Sequence, residues 1–235
     1  AHMKNLPIYD VLENIKTTFN NESTLILQAP PGAGKSTVVP ISLLDESWLG
    51  NKIIIMLEPR RVAARMVAVQ MAKLLGEEVG QSVGYQVKMD SCYSKNTKLL
   101  VVTEAILVRK LQNDQALEAV AMVIFDEFHE RSIHTDLSLA LCVQVQEFLR
   151  DDLKLLIMSA TLDSRELTNL LGKIPVINSK GKIYDVENIY LETNIKQPDS
   201  KSINTLLLNT TQKAIKEDEG DILVFLAGSR EIRRL

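Results

Sequence analysis

The chain has 235 residues, of which 46% are hydrophobic and 24% are charged, and its formal net charge is −3. This composition supports a sizeable core beneath a charged surface, and it excludes a disordered tail, a collagen-like fibre and a coiled coil. No run approaches the ~20 apolar residues of a membrane span, no apolar leader follows the N-terminus, and Cys92 and Cys142 are far apart in sequence. We therefore expect a cytoplasmic protein without membrane association or a disulfide framework.

Six short apolar runs predict buried strands of a mostly parallel sheet. They occupy residues 24–28, 52–57, 98–102, 119–125, 153–158 and 176–177. Each run is apolar at successive positions, which is typical of strands that are covered on both faces. The segments 36–45, 61–75, 104–111, 135–149 and 164–171 predict helices between them. This alternation indicates an α/β fold, a doubly wound sheet with helices on both faces, whose ligands bind at the carboxyl ends of the strands.

The helix predicted at residues 61–75 carries an apolar stripe, and Gly76 follows it as a stop signal. The stripe consists of Val62, Met66, Val69, Met71 and Leu74. Apolar residues at this spacing form the face with which an amphipathic helix packs on a core.

The pattern changes after residue 179. Residues 183–191 predict an edge strand, 193–201 a polar linker, 203–216 a helix and 222–226 another buried run. The roughly 55 residues of this part are too few for a complete α/β domain. We therefore expect residues 4–179 to form one domain and residues 180–235 to begin a second, incomplete one, with further C-terminal domains of the same chain missing. Residues 1–3 are interpreted as a cloning remnant and the initiator methionine.

The net charge conceals an uneven distribution. Residues 52–110 contain ten Lys and Arg against five Asp and Glu, a net of +5, so the remainder of the chain carries −8. By itself this division also fits ordinary solvated faces. The overall charge of −3 argues against a nucleic-acid partner, but the basic segment 52–110 means that such a partner remains possible.

A glycine-rich loop follows the first predicted strand. It fits the pattern G-x-x-x-x-G-K-[ST], except that Ala29 stands in the first position. Glycines let backbone N–H groups surround an anion, Lys35 supplies a charge for the β- and γ-phosphates, and the Ser36 hydroxyl is a ligand for Mg²⁺. The alternative is a structural Gly/Pro turn, but the position between a buried strand and a helix favours phosphate binding. The residues concerned are Pro31, Gly32, Ala33, Gly34, Lys35, Ser36 and Thr37.

Two carboxylates follow the fourth predicted strand. Asp126 leaves the sheet at the edge where a nucleotide would bring Mg²⁺, and Glu127 is suited to polarise an attacking water. An acidic helix start is the alternative explanation. Together with the glycine-rich loop, the pair predicts nucleotide hydrolysis.

Three motifs, in this order and spacing, resemble those of a known family. Gly34-Lys35-Ser36, Asp126-Glu127-Phe128-His129 and Ser159-Ala160-Thr161 are similar to motifs I, II and III of the superfamily 2 DEAH/DExH-box ATP-dependent helicases. Segments 29–37, 58–65 and 126–131 are typical of the bacterial HrpB branch. The resemblance implies a RecA-like domain followed by the start of a second, and residues 223–228 resemble motif IV.

The resemblance also implies roles in a nucleotide site. Lys35 and the loop bind the phosphates of ATP or another NTP, Ser36 and Asp126 hold Mg²⁺, and Glu127 activates water. His129, grouped with the catalytic residues, contacts the second RecA-like domain. Three residues after the fifth strand couple hydrolysis to domain movement, namely Ser159, Ala160 and Thr161.

Further motifs imply contacts to the backbone of a single strand, RNA in preference to DNA. Motif Ia corresponds to Pro59, Arg60 and Arg61. Motif Ib corresponds to Thr103 and Glu104, where relatives commonly have Thr-Asp. Lys88 ends a stretch that in relatives leads into a turn touching the same strand.

The chain departs from the family pattern at two positions. Phe128 replaces the alanine of the name motif, and Gln70 stands where DEAH relatives often place an arginine that stacks on the base. Base selectivity is therefore not implied.

The sequence thus predicts the N-terminal ATP-binding part of an NTP-dependent nucleic-acid helicase. Because motifs V and VI and the arginine finger are absent from the sequence, we expect the isolated chain to hydrolyse nucleotide barely. Two alternatives stay open: an ATPase that remodels nucleoprotein without unwinding duplexes, and a nucleotide-gated nucleic-acid binding module.

Overall fold

The structure, a computed structural model, describes residues 6–161, 171–181, 185–191 and 202–234. Its contacts divide the chain into two units, Ala1–Ile183 and Tyr184–Leu235. The strands of the first unit are β1 (Thr24–Gln28), β2 (Ile53–Leu57), β3 (Val83–Val87), β4 (Asp90–Cys92), β5 (Leu99–Val102), β6 (Val120–Phe125), β7 (Lys154–Ser159) and β8 (Val176–Asn178). They form one sheet in the order β4-β3-β5-β2-β6-β7-β1-β8. Neighbouring strands are parallel except for β3 and β4, which are antiparallel.

Among the described residues of the first unit, five helices flank this sheet. They are α1 (Leu12–Asn21), α2 (Lys35–Ser42), α3 (Arg61–Leu74), α4 (Glu104–Asn113) and α5 (Ile133–Phe148). Short 3₁₀ turns occupy Pro7–Val11, Ser47–Leu49 and Phe128–Glu130.

Alternate strand residues face two different core layers, as the period of two along a strand requires. Leu25 and Leu27 pack in a layer that includes Ala68 of α3. Ile26, between them, packs in the opposite layer with Leu139 of α5. Because both faces are covered, the central strands must be apolar throughout, and the polar residues of the site can lie only at the strand ends.

The six strands predicted from apolar runs are confirmed, and so are the α/β class and the mostly parallel sheet. The helices predicted near α2, α3, α4 and α5 are present with ends that differ by a few residues. We did not predict α1 or the antiparallel pair of β3 and β4. The run Val83–Val87 contains Gly84 and Gln86 and has no continuous apolar character, so its strand depends on pairing with β5. The helix predicted at 164–171 falls almost wholly outside the described residues.

The predicted apolar stripe of α3 is wrong in part. Val62, Met66 and Val69 are exposed, whereas the buried face consists of Ala64, Ala68, Met71 and Ala72. Small alanines allow the helix backbone to approach the sheet closely, and this contact outweighs the larger but outward-facing side chains.

The second unit contains α6 (Ser202–Glu217), which confirms the helix predicted at 203–216, and the short α7 (Ser229–Ile232). The edge strand predicted at 183–191 is wrong for the described residues 185–191, which are exposed and have no regular structure. The buried strand predicted at 222–226 is also wrong, since Leu223 and Phe225 are exposed. A strand needs a partner for its backbone groups, and none of the described residues pairs with these two segments. That this unit begins a second RecA-like domain stays a prediction. No described helix has the length and apolar character needed to cross a membrane.

Candidate functional site

The carboxyl ends of five neighbouring strands bring the predicted site residues to one edge of the sheet. The N–H of Ala29 after β1 donates to the carbonyl of Ser159 on β7 (3.0 Å), and the N–H of Asp126 after β6 donates to that of Leu57 on β2 (3.0 Å). In the same way, the N–H of Glu58 donates to the carbonyl of Val102 on β5 (2.9 Å). Along this edge the order is therefore Thr103, Glu58, Asp126, Ser159 and Ala29.

The loop between β1 and α2 has the backbone shape of an anion cradle. Gly32 and Gly34 have φ angles of 75° and 93°, in the left-handed region that other residues rarely adopt. Lys35 begins α2 and is 4% exposed. Ser36 and Thr37 follow on the first turn of the helix, where free N–H groups and the helix dipole favour an anion. Pro31 and Gly32 are exposed and Ala33 is buried, so the loop has one open side.

Replacing Gly34 with alanine is expected to destabilise the fold by about 2 kcal/mol. The left-handed backbone costs an alanine about 1 kcal/mol, and its Cβ would lie 2.9 Å from Leu6 Cδ1 and 3.1 Å from Ile8 Cγ2, which adds crowding. Gly76→Ala is the matched control, since Gly76 has a φ of 76° and no atom within 4 Å of the added Cβ. Urea unfolding followed by the fluorescence of Trp48 compares the two, and equal losses would contradict the close contact at Gly34.

Lys35, Glu127 and His129 form a polar cluster beside the loop. Lys35 Nζ donates to Glu127 Oε1 (2.9 Å), and His129 Nε2 lies 3.2 Å from Glu127 Oε2. The N–H of Ala160 donates to His129 Nδ1 (3.2 Å). Since Nδ1 accepts a hydrogen bond, the proton of the neutral imidazole is on Nε2, the nitrogen that faces Glu127 Oε2. Glu127 Oε1 is thus held by Lys35 of motif I, while Oε2 lies near His129 of its own motif.

Asp126 provides an oxygen that fits a divalent cation. The residue is 1% exposed, its Oδ1 accepts the N–H of Glu127 (2.8 Å), and its Oδ2 is buried without a hydrogen-bond partner among the described residues. Burial raises the pKa of Asp126 to about 6, while the Ser36 hydroxyl and the Lys35 ammonium act in the opposite direction. A buried carboxylate oxygen beside a hydroxyl is the ligand type that hard cations prefer.

The residues predicted to touch nucleic acid lie toward β2, β5 and β3. Arg60, Arg61 and Lys88 are exposed, and Pro59 is half-buried. Thr103 is buried at the N-terminal end of α4. Gln70 is exposed on α3.

Glu104 is engaged inside the protein. It accepts hydrogen bonds from Ser132 Oγ and from Thr135 Oγ1, the latter at 2.7 Å. The Ser132 hydroxyl also caps α5 by accepting the N–H of Thr135 (3.0 Å). The carboxylate of Glu104 therefore joins the start of α4 to the start of α5, and a contact to nucleic acid would have to compete with these hydrogen bonds.

The third predicted motif lies between the other two. Ser159 is 1% exposed and its hydroxyl donates to the carbonyl of Thr161. Ala160 contacts His129 as described, and Ser159 accepts the N–H of Ala29 through its carbonyl. The segment therefore contacts both the glycine-rich loop and His129.

Sequence reasoning missed two carboxylates at the site. Glu58 is 4% exposed, and burial, together with the charge of Asp126, raises its pKa to about 8. Glu130 Oε1 accepts from an Nη of Arg60 at 2.7 Å. A signal for Glu58 was present, because it follows β2 directly as Asp126 follows β6. No local pattern indicated the partner of Glu130.

A doubly wound sheet with a glycine-rich loop after its first strand and an acidic pair at the end of β6, two strands away, defines a RecA-like domain. The chain belongs to the DEAD/DEAH box helicase family, whose family model matches residues 10–170. The resemblance drawn from motifs I, II and III is therefore confirmed.

Two known proteins illustrate the relationship. The chain is 45% identical to the ATP-dependent RNA helicase HrpB of Escherichia coli (strain K12), over 99% of this chain and 28% of that protein. It is 34% identical to the ATP-dependent RNA helicase HrpA homolog of Haemophilus influenzae, over 98% of this chain and 18% of that protein. A crystal structure of the Escherichia coli DEAH/RHA helicase HrpB is similar with a TM-score of 0.87 and 44% identity, over 98% of this chain and 29% of that one. The chain spans less than a third of the length of these relatives.

Proposed function

We propose that this chain is the nucleotide-binding part of an NTP-dependent helicase that moves on single-stranded RNA. The observation that carries the proposal is the order of residues along the sheet edge. The phosphate loop, Ser159 and Asp126 lie at β1, β7 and β6, while Arg60, Thr103 and Lys88 lie beyond β2, β5 and β3. The proposed nucleotide site and the proposed nucleic-acid site are therefore adjacent along one sheet.

Nucleotide binding would rearrange the polar cluster. The incoming phosphates take the ammonium of Lys35, which releases Glu127 Oε1. The freed carboxylate accepts a proton from a water molecule whose oxygen attacks the γ-phosphorus. The bond from this phosphorus to the β–γ bridging oxygen breaks, and the products are a nucleoside diphosphate and phosphate. His129 keeps Glu127 oriented through Oε2.

The cation in this proposal is Mg²⁺, held by Asp126 and Ser36. When bound, it supplies positive charge to the β- and γ-phosphate oxygens. The unpartnered Asp126 Oδ2 supports this assignment, since a carboxylate left buried without a partner is costly.

The part of the sheet edge after β2, β5 and β3 is suited to binding the backbone phosphates of a nucleic acid. Arg60, Arg61 and Lys88 are exposed cations, and α3 and α4 begin at this edge with free N–H groups. Such contacts do not read bases, so they predict binding that is independent of sequence and weakened by salt. The names of the two relatives support RNA as the strand.

Movement would require the remaining part of the protein. We infer that Ser159, Ala160 and Thr161 transmit hydrolysis to a second RecA-like domain, and that His129 contributes to this contact. The unpaired Cys92 and Cys142 support a cytoplasmic location.

The proposal is tested by the NTPase rate of the full-length protein with single-stranded RNA, with single-stranded DNA and with neither. We expect RNA to stimulate hydrolysis and a duplex with a single-stranded extension to be unwound. Stimulation without unwinding would favour an ATPase that remodels nucleoprotein. Strand binding without any hydrolysis would favour a nucleotide-gated binding module.

A further inference from the structure

The segment that carries the proposed catalytic base is a short turn between two strained residues. Glu127 and Arg131 have φ angles of 49° and 44°, and the 3₁₀ turn Phe128–Glu130 lies between them. A positive φ is strained for residues other than glycine. Surrounding contacts must hold this turn in place, and a change in those contacts can shift it.

One of these contacts comes from motif Ia. An Nη of Arg60 donates to Glu130 Oε1 at 2.7 Å, and the two side chains are 72% and 33% exposed. The ion pair joins the start of α3, where the proposed strand phosphate binds, to the last residue of the turn. A phosphate that binds Arg60 would compete with the Glu130 carboxylate for the same guanidinium donors.

The segment that follows the turn is anchored to motif Ib. Ser132 and Thr135 donate to the carboxylate of Glu104 at the start of α4. The residue between the turn and this anchor is Arg131, which donates to Asp136 of α5 at 2.9 Å. The hydrogen bonds to Glu104 are partly buried and the Arg60–Glu130 ion pair is exposed, so the contact that a nucleic-acid strand can displace is the one at Glu130.

We propose that Glu130 is a positioning residue through which strand binding at Arg60 controls the catalytic turn. The inference rests on the proposed function. Without a strand, Glu130 holds Arg60, and the turn keeps Glu127 against Lys35 and His129. A strand phosphate that binds Arg60 releases Glu130, and the turn and Glu127 readjust toward the nucleotide.

The expected size of this control is modest. A ligand shifts an equilibrium only by its differential interaction with the two states. An exposed ion pair such as Arg60–Glu130 supports a change of about two- to fivefold. Glu130 therefore accounts for part of the stimulation by a strand.

The test uses Glu130→Gln in the full-length protein with single-stranded RNA. We expect the Kd for RNA to fall about two- to fivefold, because the competing carboxylate is gone. The NTPase rate without RNA rises by a similar factor, so the ratio of stimulated to unstimulated rates falls. A residue with a structural role alone would lower both rates together and leave the Kd for RNA unchanged.

Two further variants make the test specific. Glu147→Gln removes the same charge from an exposed position near the end of α5 and is expected to leave the Kd and both rates unchanged. In an Arg60→Gln background, Glu130→Gln is expected to have no further effect, since its partner is already absent. An unchanged stimulation ratio in Glu130→Gln, or the same effect of that variant without Arg60, overturns the inference while the proposed function stands. A wild-type protein that no strand stimulates overturns both.

Discussion

Replacing Glu127 with glutamine is expected to lower the NTP turnover of the full-length protein by about 10²–10⁴-fold, the contribution typical of general base catalysis. A glutamine amide has nearly the same size but cannot accept a proton from the attacking water. Its carbonyl oxygen takes the place of the carboxylate oxygen that lies 3.2 Å from His129 Nε2, so we expect the turn to keep its geometry. The loss therefore falls on kcat.

Nucleotide affinity provides the second half of this prediction. In the free protein, Glu127 Oε1 holds Lys35 Nζ at 2.9 Å, and this ion pair must break before the ammonium can reach a phosphate. Glutamine weakens the pair, so a non-hydrolysable ATP analogue is expected to bind at least as tightly as to the wild type. Single-turnover hydrolysis and a binding titration with the analogue measure the two quantities separately.

The matched control for this variant is Glu118→Gln, at an exposed position before β6. It removes one carboxylate of the same kind outside the cluster and is expected to keep full turnover. If Glu127→Gln retains more than about a tenth of wild-type turnover, another group activates the water.

The sequence predicts those residues of the site that directly follow a buried strand. Continuous apolar runs predict buried parallel strands, and the carboxyl ends of such strands meet at one edge. Lys35 after β1 and Glu127 after β6 were expected near each other on that ground, and they lie in an ion pair. The roles of these residues stay predictions until they are measured.

The other features of the site and the fold depend on tertiary contacts, which the local sequence pattern does not reveal. The pair Arg60–Glu130 forms because β2 and β6 are neighbours in the sheet, although the residues are 70 positions apart. The exposed stripe of α3 was misplaced because alanine contributes little to an apolar pattern. Ala64 and Ala68 nevertheless provide the close contact with the sheet. A hydrophobic pattern shows which residues are apolar, whereas the packing of a helix on a sheet also depends on the size of the side chains.

Glu58 leads to a prediction about pH. Burial and the charge of Asp126 raise its pKa from 4.5 to about 8. Between these values the folded chain binds a proton that the unfolded chain has released, so the free energy of unfolding falls as pH rises through this window. The stabilisation is complete below about pH 4.5 and is lost above about pH 8. At about 1.4 kcal/mol for each pKa unit, the loss reaches on the order of 5 kcal/mol.

Replacing Glu58 with glutamine is expected to remove this pH dependence, because the amide does not ionise. At pH 5 the variant and the wild type should have similar stability, and by about pH 8.5 the variant should be more stable by several kcal/mol. Urea unfolding between the two pH values, followed by the fluorescence of Trp48, measures the difference. A chelator in the buffer prevents divalent cations from binding at Asp126 during the measurement.

Glu118→Gln is again the control. Because Glu118 is exposed, its replacement is not expected to change how the free energy of unfolding varies between these pH values. The other carboxylates of the cluster remain in both proteins, so the comparison isolates Glu58. Parallel pH profiles for Glu58→Gln and the wild type would mean that Glu58 is ionised in the folded chain at neutral pH. The edge of the sheet would then hold two adjacent negative charges, Glu58 and Asp126, in the absence of a bound cation.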